Sequence, residues 1–374
     1  MKSAVIAGYV RSPFTPANKS PMALVRPDDL TAQVVRALLA RTGVNPHDIE
    51  DLLLGCAFPE GEQGLNLARL VGMLAELPQS VAGATINRFC GSSMQSVHSA
   101  VGAIAIGAGE VFLCAGVESM SRVPMMGFNP MPNPVFAKAH PEAYIGMGDT
   151  AENVARKWGI ARTDQEKFAV ESHRRAALAQ AGGRLADEIV AIGEVTGDGC
   201  IRAETSLEGL AGLKLAFDQN GTVTAGTASP LTDGAAALLV ASEDYARTHN
   251  LPMLARVRAV AVAGCAPEIM GIGPVPASLK ALRRAGIEIA QLDVIELNEA
   301  FAAQSLACIR DLDLDLARVN IDGGAIALGH PLGATGARIV GKAAALLKRT
   351  GGRYALATQC IGGGQGIATV LEAI

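Results

Sequence analysis

Short apolar runs alternate with helical stretches along the chain, and one such unit occurs twice. In the first copy a helical pattern ending Ala37–Thr42 stops at Gly43, and the apolar run Leu52–Leu54 follows a short turn. In the second, Ala281–Ala285 stops at Gly286, and Val294–Leu297 follows. A glycine directly after a helix fits a C-cap in the left-handed region, where a side chain is strained. A further pair supports the repeat. Val111–Gly116 reads as a strand ending Cys-Ala-Gly, and Tyr354–Gly362 as a strand ending near Cys-Ile-Gly. Units of this kind predict an α/β fold with sheets covered on both faces. Helices are predicted over Asp29–Thr42, Ser92–Ala105, Asp164–Ala181 and Ala334–Arg349, and strands over Val111–Ala115, Val294–Leu297 and Tyr354–Thr358.

The chain has 374 residues, 49% of them hydrophobic. That exceeds the roughly 250–300 residues one core usually serves, so two or more core units are expected. The repeat places them at 1–117, joined by about 231–250, and at 251–374. Residues 118–230 differ in texture, with Pro, Met, Asn and Gly crowded over 118–165. They read as a loop-rich insertion covering a site, or equally as a plain connecting domain.

Charged residues are 18% of the chain and the net charge is −4. This argues against disorder and against a nucleic-acid partner, which would call for a basic surplus. No apolar run approaches the roughly 18–20 residues that span a bilayer. Met1–Gly8 reads as a strand entering the fold, not a secretory or transit leader, and Leu371–Ile374 carries no peroxisomal tripeptide. A cytoplasmic protein without a membrane span is expected. The seven cysteines (Cys56, Cys90, Cys114, Cys200, Cys265, Cys308 and Cys360) show no zinc-like spacing. No metal is expected, and each thiol alone is most simply a small buried hydrophobe.

Four segments carry candidate chemistry. In Asn87–Gln95, an apolar strand Val81–Ile86 turns into a helix at Cys90. A thiol there faces unpaired N–H groups and the positive helix end, and both favour the nucleophilic thiolate. In Gly323–Arg338, His330 stands between glycines before another helix, as a general base that substrate can approach or as a satisfied structural histidine. In Glu296–Ala303, Asn298 is a helix cap or a holder of a water or carbonyl oxygen, and Glu299 an orienting carboxylate or a first-turn acid. In Gln359–Gly366 a strand ends at Cys360, and the following glycines expose N–H groups able to bind an oxyanion. The glycine spacing there is not that of a dinucleotide loop.

Taken together, these segments resemble the thiolase family over essentially the full chain. The likeness extends to Met147-Gly148 with Thr150–Glu152, to Phe217-Asp218 and to Ala225–Ser229. Cys90–Gln95, Ile269–Ser278 and Gly366–Val370 are most similar to the degradative 3-ketoacyl-CoA branch. The resemblance implies duplicated βαβαβαββ halves in a layered α-β-α-β-α core. It implies Cys90 as the acyl-carrying nucleophile, His330 as its activator and Cys360 as the thiol moving the α-proton of acetyl-CoA. His330 with a water on Asn298 would form one oxyanion hole, and the N–H groups of Cys90 and Gly362 the other. Ser229, Phe217, Arg202 and Met147, with Ala225, Ala300 and Phe301, would line the coenzyme A channel. Coenzyme A enters as co-substrate, with no bound cofactor. The implied reaction is thiolysis of 3-ketoacyl-CoA to acetyl-CoA and a shortened acyl-CoA. Formation of acetoacetyl-CoA is the alternative reaction, and a non-catalytic acyl-CoA-binding subunit the alternative class. The implied partners are a second copy in a homodimer or homotetramer, and a hydratase/dehydrogenase subunit. Two positions depart from the pattern. Gly146 stands where acetoacetyl-specific relatives carry histidine, which predicts a roomier acyl pocket. Asp322 replaces the usual asparagine, for a reason the sequence does not give.

Overall fold

The computed structural model describes residues 2–374. Ten strands are present among them: β1 (Ala4–Arg11), β2 (Thr15–Pro16), β3 (Asp51–Gly55), β4 (Ala82–Ile86), β5 (Val111–Ser119), β6 (Thr232–Ser242), β7 (Ala255–Gly264), β8 (Val294–Leu297), β9 (Tyr354–Ile361) and β10 (Gln365–Glu372). They run β4-β3-β5-β6-β1-β7-β10-β9-β8, with β2 paired to β6. The order is one pattern used twice. In the first half β3 is parallel to β4 and β5, β5 is antiparallel to β6, and β6 to β1. In the second half β8 is parallel to β9, β9 antiparallel to β10, and β10 to β7. The counterpart of β4 has shrunk to a single parallel bridge, Ile295 with Val319. The halves join through the short antiparallel contact of β1 with β7. The glycine stops behave alike: Gly43 has φ 67° and Gly286 φ 70°, each capping its helix C-terminus.

Three apolar cores lie between five layers. Helices Pro27–Thr42 and Leu67–Leu74 cover one face of the first sheet, and Pro274–Ala285 and Ala302–Asp311 one face of the second. The middle layer holds Ser92–Ile106 and Leu332–Thr350, both packed between the sheets. The latter is buried over all but its last residues, because both sheets and a facing helix need an apolar partner there. The two middle helices approach closely where they cross. A Cβ on Gly336 would lie 2.2 Å from the Met94 backbone nitrogen, and one on Gly333 would lie 2.3 Å from the Val117 carbonyl oxygen. Glycine is therefore a packing requirement at both positions.

The segment 118–230 contains more regular structure than its composition indicates. Besides the expected helix, observed as Arg162–Ala181, it forms Met147–Trp158, which the sequence reading had not assigned. It is also tied down by charge. The turn at Asp198 is buried, and its carboxylate accepts from Arg11 Nη1 (2.6 Å), Arg11 Nη2 (2.7 Å) and the Phe14 N–H (2.8 Å). Arg11 Nε also donates to Glu188 (2.9 Å). Asp322 receives a physical account as well. It accepts from Arg184 (3.0 Å) and Arg349 (2.7 and 2.9 Å), and lies 2.8 Å from Lys342 Nζ. Burial would raise its carboxyl, but Arg349 and Lys342 hold it down at about 2. A neutral asparagine would leave the buried Lys342 with Glu188 as its remaining anion.

Candidate active site

Cys90 is delivered by a strained turn. Phe89 has φ 43°, an unfavourable left-handed setting for an aromatic residue. The turn is held by its own side chains. The Phe89 N–H donates to Asn87 Oδ1 (2.9 Å), the Arg88 N–H to Ser92 Oγ (2.9 Å), and the Ser92 hydroxyl to the Phe89 carbonyl (2.6 Å). Gln359 Nε2 donates to the Cys90 carbonyl, so the strand bearing Cys360 also fixes the Cys90 backbone. The backbone N–H groups of Gly362 and Cys90 lie near enough to the Cys90 sulfur to oppose a rise of its pKa.

These donors do not prevail over burial. Desolvation pushes the Cys90 thiol up to about 12, opposed by the two N–H groups and reinforced by nearby Glu118. The helix end favours the thiolate but offsets only part of the cost of removing a charge from water. Burial, aided by Arg338, likewise drives His330 down to about 3. Burial thus disfavours the charged form of both side chains.

The tautomer of His330 is fixed by its neighbours. Its Nδ1 lies 2.6 Å from Thr335 Oγ1, whose hydroxyl donates to the Pro331 carbonyl at 2.9 Å. With its own hydrogen engaged, Thr335 accepts from Nδ1–H. Nε2 is therefore the basic nitrogen, and Asn298 Nδ2 lies 3.3 Å from it. Asn298 Oδ1 is buried without a hydrogen-bond partner. The glycines around His330 do not serve substrate approach, as the sequence reading had it. A Cβ on Gly329 would meet the Thr232 side chain at 2.6 Å, and Gly333 and Gly336 serve helix packing.

Two buried carboxylates brace the site. Glu299 accepts from Ser172 (2.6 Å), Asn320 (2.8 Å) and the Ile326 N–H (3.2 Å), which makes it an anchor for the Asn298 turn. Glu118 accepts from the N–H groups of Ala57 (2.9 Å) and Gly333 (2.9 Å), and from Gln63 (2.8 Å). It thereby joins the loop after β3 to the turn after His330.

One cavity of about 350 Å³ gathers Cys90, His330, Cys360 and Gly362, together with Ser229, Met147, Ala300 and Phe301. Asn298 lies behind His330. The Ser229 N–H and hydroxyl both donate to the Ala300 carbonyl, at 3.0 and 3.1 Å. Phe217 is half-exposed and stands edge-on to Phe301, with ring centroids 6.0 Å apart. Arg202 and Ala225 are exposed and do not line the cavity. Sequence reasoning missed Phe58, Met120, Tyr144, Met270 and Leu332 on the walls, and Thr335, Glu118 and Gln359 behind them. Thr335 was within reach, since it opens the helix that follows His330. The wall residues carry no local signal, because only the tertiary fold brings them together.

The arrangement gathers two thiols, an imidazole and glycine-bearing backbone in one cavity, a set of groups that suits acyl transfer. The thiolase N-terminal domain family matches residues 4–244, and the thiolase C-terminal domain family residues 251–373. The chain is 45% identical to a 3-ketoacyl-CoA thiolase of Bacillus subtilis and 48% identical to one of Aliivibrio fischeri, each over the full length of both chains. Its fold matches that of human mitochondrial 3-ketoacyl-CoA thiolase in complex with CoA, with TM-score 0.92 and 38% identity, covering 100% of this chain and 98% of that one. With its duplicated sheets, its paired thiols and both domain matches, this chain belongs to the thiolase family.

Proposed function

We propose that this protein is a 3-ketoacyl-CoA thiolase, cleaving 3-ketoacyl-CoA with CoA to acetyl-CoA and an acyl-CoA two carbons shorter. The observation that carries the reading is the cavity uniting Cys90, His330, Cys360 and Gly362. Cys90 attacks the ketone carbon while His330 Nε2 takes the thiol proton. The N–H groups of Cys90 and Gly362 receive the developing oxyanion. Collapse of the adduct breaks the bond between the α- and β-carbons and leaves the acyl group on Cys90. The enolate oxygen of acetyl-CoA is met by His330, now carrying its proton, and by a water on Asn298, whose buried Oδ1 is free to accept. Cys360 protonates the enolate carbon. Burial holds its thiol well above the ordinary value, so the acid form is the resting one. The Cys360 thiolate then takes the proton of incoming CoA, whose sulfur attacks acyl-Cys90; Cys90 leaves and takes back the proton held by His330, so both thiols are restored.

Ser229, Met147, Ala300 and Phe301 line the CoA path, Phe217 stands at its rim, and Arg202 and Ala225 belong to its outer reach. Segment 118–230 acts as the cover, between an N-terminal half (1–117 with 231–250) and a C-terminal half (251–374). Fatty-acid β-oxidation in the cytoplasm is the setting, supported by the names and bacterial sources of the relatives. No described helix is long and apolar enough to cross a membrane. Assembly as a homodimer is supported by the outer edge of β4, flanked by exposed Leu65, Leu70, Met73 and Leu74. Kinetics with CoA across a chain-length series test the reading. Cleavage of medium-chain 3-ketoacyl-CoA is expected. Activity confined to the four-carbon substrate favours an acetoacetyl-CoA enzyme, and binding without turnover favours a non-catalytic subunit.

A further inference from the structure

Methionine is concentrated at the cavity. Six of the eleven methionines line it: Met120, Met125, Met126, Met131, Met147 and Met270. They differ sharply in access. Met120 and Met270 are 7% and 2% exposed, whereas Met125, Met126 and Met131 are 40%, 50% and 82% exposed. The exposed three lie within seven residues of chain, beside Pro130, Pro132 and Tyr144 on the same wall. Each thus faces solvent and the cavity at once. The Cys90 thiol is buried and, with its high pKa, rests in the less reactive protonated form.

We propose that Met125, Met126 and Met131 form a sulfoxidation site through which hydroperoxides lower activity on long acyl chains while sparing short ones. The thioether sulfur attacks one peroxide oxygen and the O–O bond breaks. Sulfur takes up that oxygen and is oxidised by two electrons, while hydrogen peroxide is reduced to water. A dithiol-dependent sulfoxide reductase would reverse the change. The sulfoxide oxygen is a strong acceptor on a wall of carbon and sulfur. A long acyl chain seated there would cover it without offering a donor, whereas a four-carbon substrate ends nearer Cys90. The loss therefore scales with chain length and amounts to about tenfold for a ten-carbon substrate, the effect of one uncompensated polar group. The inference rests on the 3-ketoacyl-CoA reading above.

The test treats purified enzyme with hydrogen peroxide, then with dithiothreitol to restore reversibly oxidised cysteine. Peptide mass spectrometry locates the added oxygen. Thiolysis is measured with four-carbon and ten-carbon 3-ketoacyl-CoA before and after. Oxygen on the three methionines and an about tenfold fall in the ten-carbon to four-carbon activity ratio are expected. The triple variant Met125→Leu, Met126→Leu, Met131→Leu is expected to hold its own starting ratio through the same treatment. An unchanged ratio with all three methionines oxidised overturns the proposal alone. An equal loss on both substrates, or a ratio that falls as far in the triple variant, also overturns it. Absence of ten-carbon activity before oxidation overturns the functional reading and this proposal together.

Discussion

Thr335 touches no reacting atom in the proposed chemistry, yet it decides which nitrogen of His330 is the base. Thr335→Val keeps the side-chain shape and removes the acceptor 2.6 Å from Nδ1. The Pro331 carbonyl keeps two backbone donors, the Ala334 and Thr335 N–H groups at 2.9 and 3.0 Å, so the turn retains its hydrogen bonds. The loss falls on His330, which must leave a buried Nδ1–H unpaired or move its hydrogen to Nε2. An orphaned buried donor costs about 1–3 kcal/mol. At about 1.4 kcal/mol per tenfold, kcat/KM for thiolysis falls about fivefold to 150-fold. Thr335→Ser restores the acceptor and recovers most of the activity. The rate of Cys90 alkylation by iodoacetamide should fall in parallel, since the same base assists it. A Thr335→Val enzyme with unchanged Tm and unchanged kcat/KM would refute the tautomer argument.

Further predictions concern packing and pH. Gly336→Ala would place a methyl 2.2 Å from the Met94 backbone nitrogen, so the middle helices must separate; a loss of about 3 kcal/mol or more is expected in denaturant unfolding. A fully stable variant would contradict the close crossing. His98, buried in that layer, is held down at about 3 by desolvation, then by Arg88 and Arg284. Because its folded pKa is lowered, the unfolded chain binds the extra proton between about pH 6.5 and 3, and stability drains as pH falls through that window. The slope is about 1.4 kcal/mol per pH unit, or about 2 kcal/mol between pH 6.5 and 5. His98→Gln should flatten the stability curve by that amount, and an unaltered slope would contradict the assignment.

The duplication was legible because it is written locally. Gly43 and Gly286 mark helix ends by backbone geometry alone, and β8 falls on the predicted run Val294–Leu297. The candidate site residues could be singled out for a similar reason, since each sits in its own short glycine-bearing or strand-end segment, and the fold brings Cys90, His330 and Cys360 into one cavity. What failed depended on environment. The helix end beside Cys90 favours a thiolate, but charge stability is set also by desolvation, which a sequence does not display. Gly329, Gly333 and Gly336 were read as room for substrate. They are contacts with Thr232, Val117 and Met94, distant in sequence and adjacent only once both sheets are in place. Asp322 likewise had no explanation until the fold brought Arg184, Lys342 and Arg349 around it.

The covalent step on Cys90 is the centre of the account. Mass spectrometry of the protein incubated with acyl-CoA and quenched in acid tests it directly. An acyl group on the Cys90 peptide is predicted for the wild type and for Cys360→Ala, which should still lose exchange of the acetyl-CoA α-proton. None is predicted for Cys90→Ala. An acyl group on another residue, or thiolysis by Cys90→Ala at a rate near that of the wild type, would contradict the mechanism.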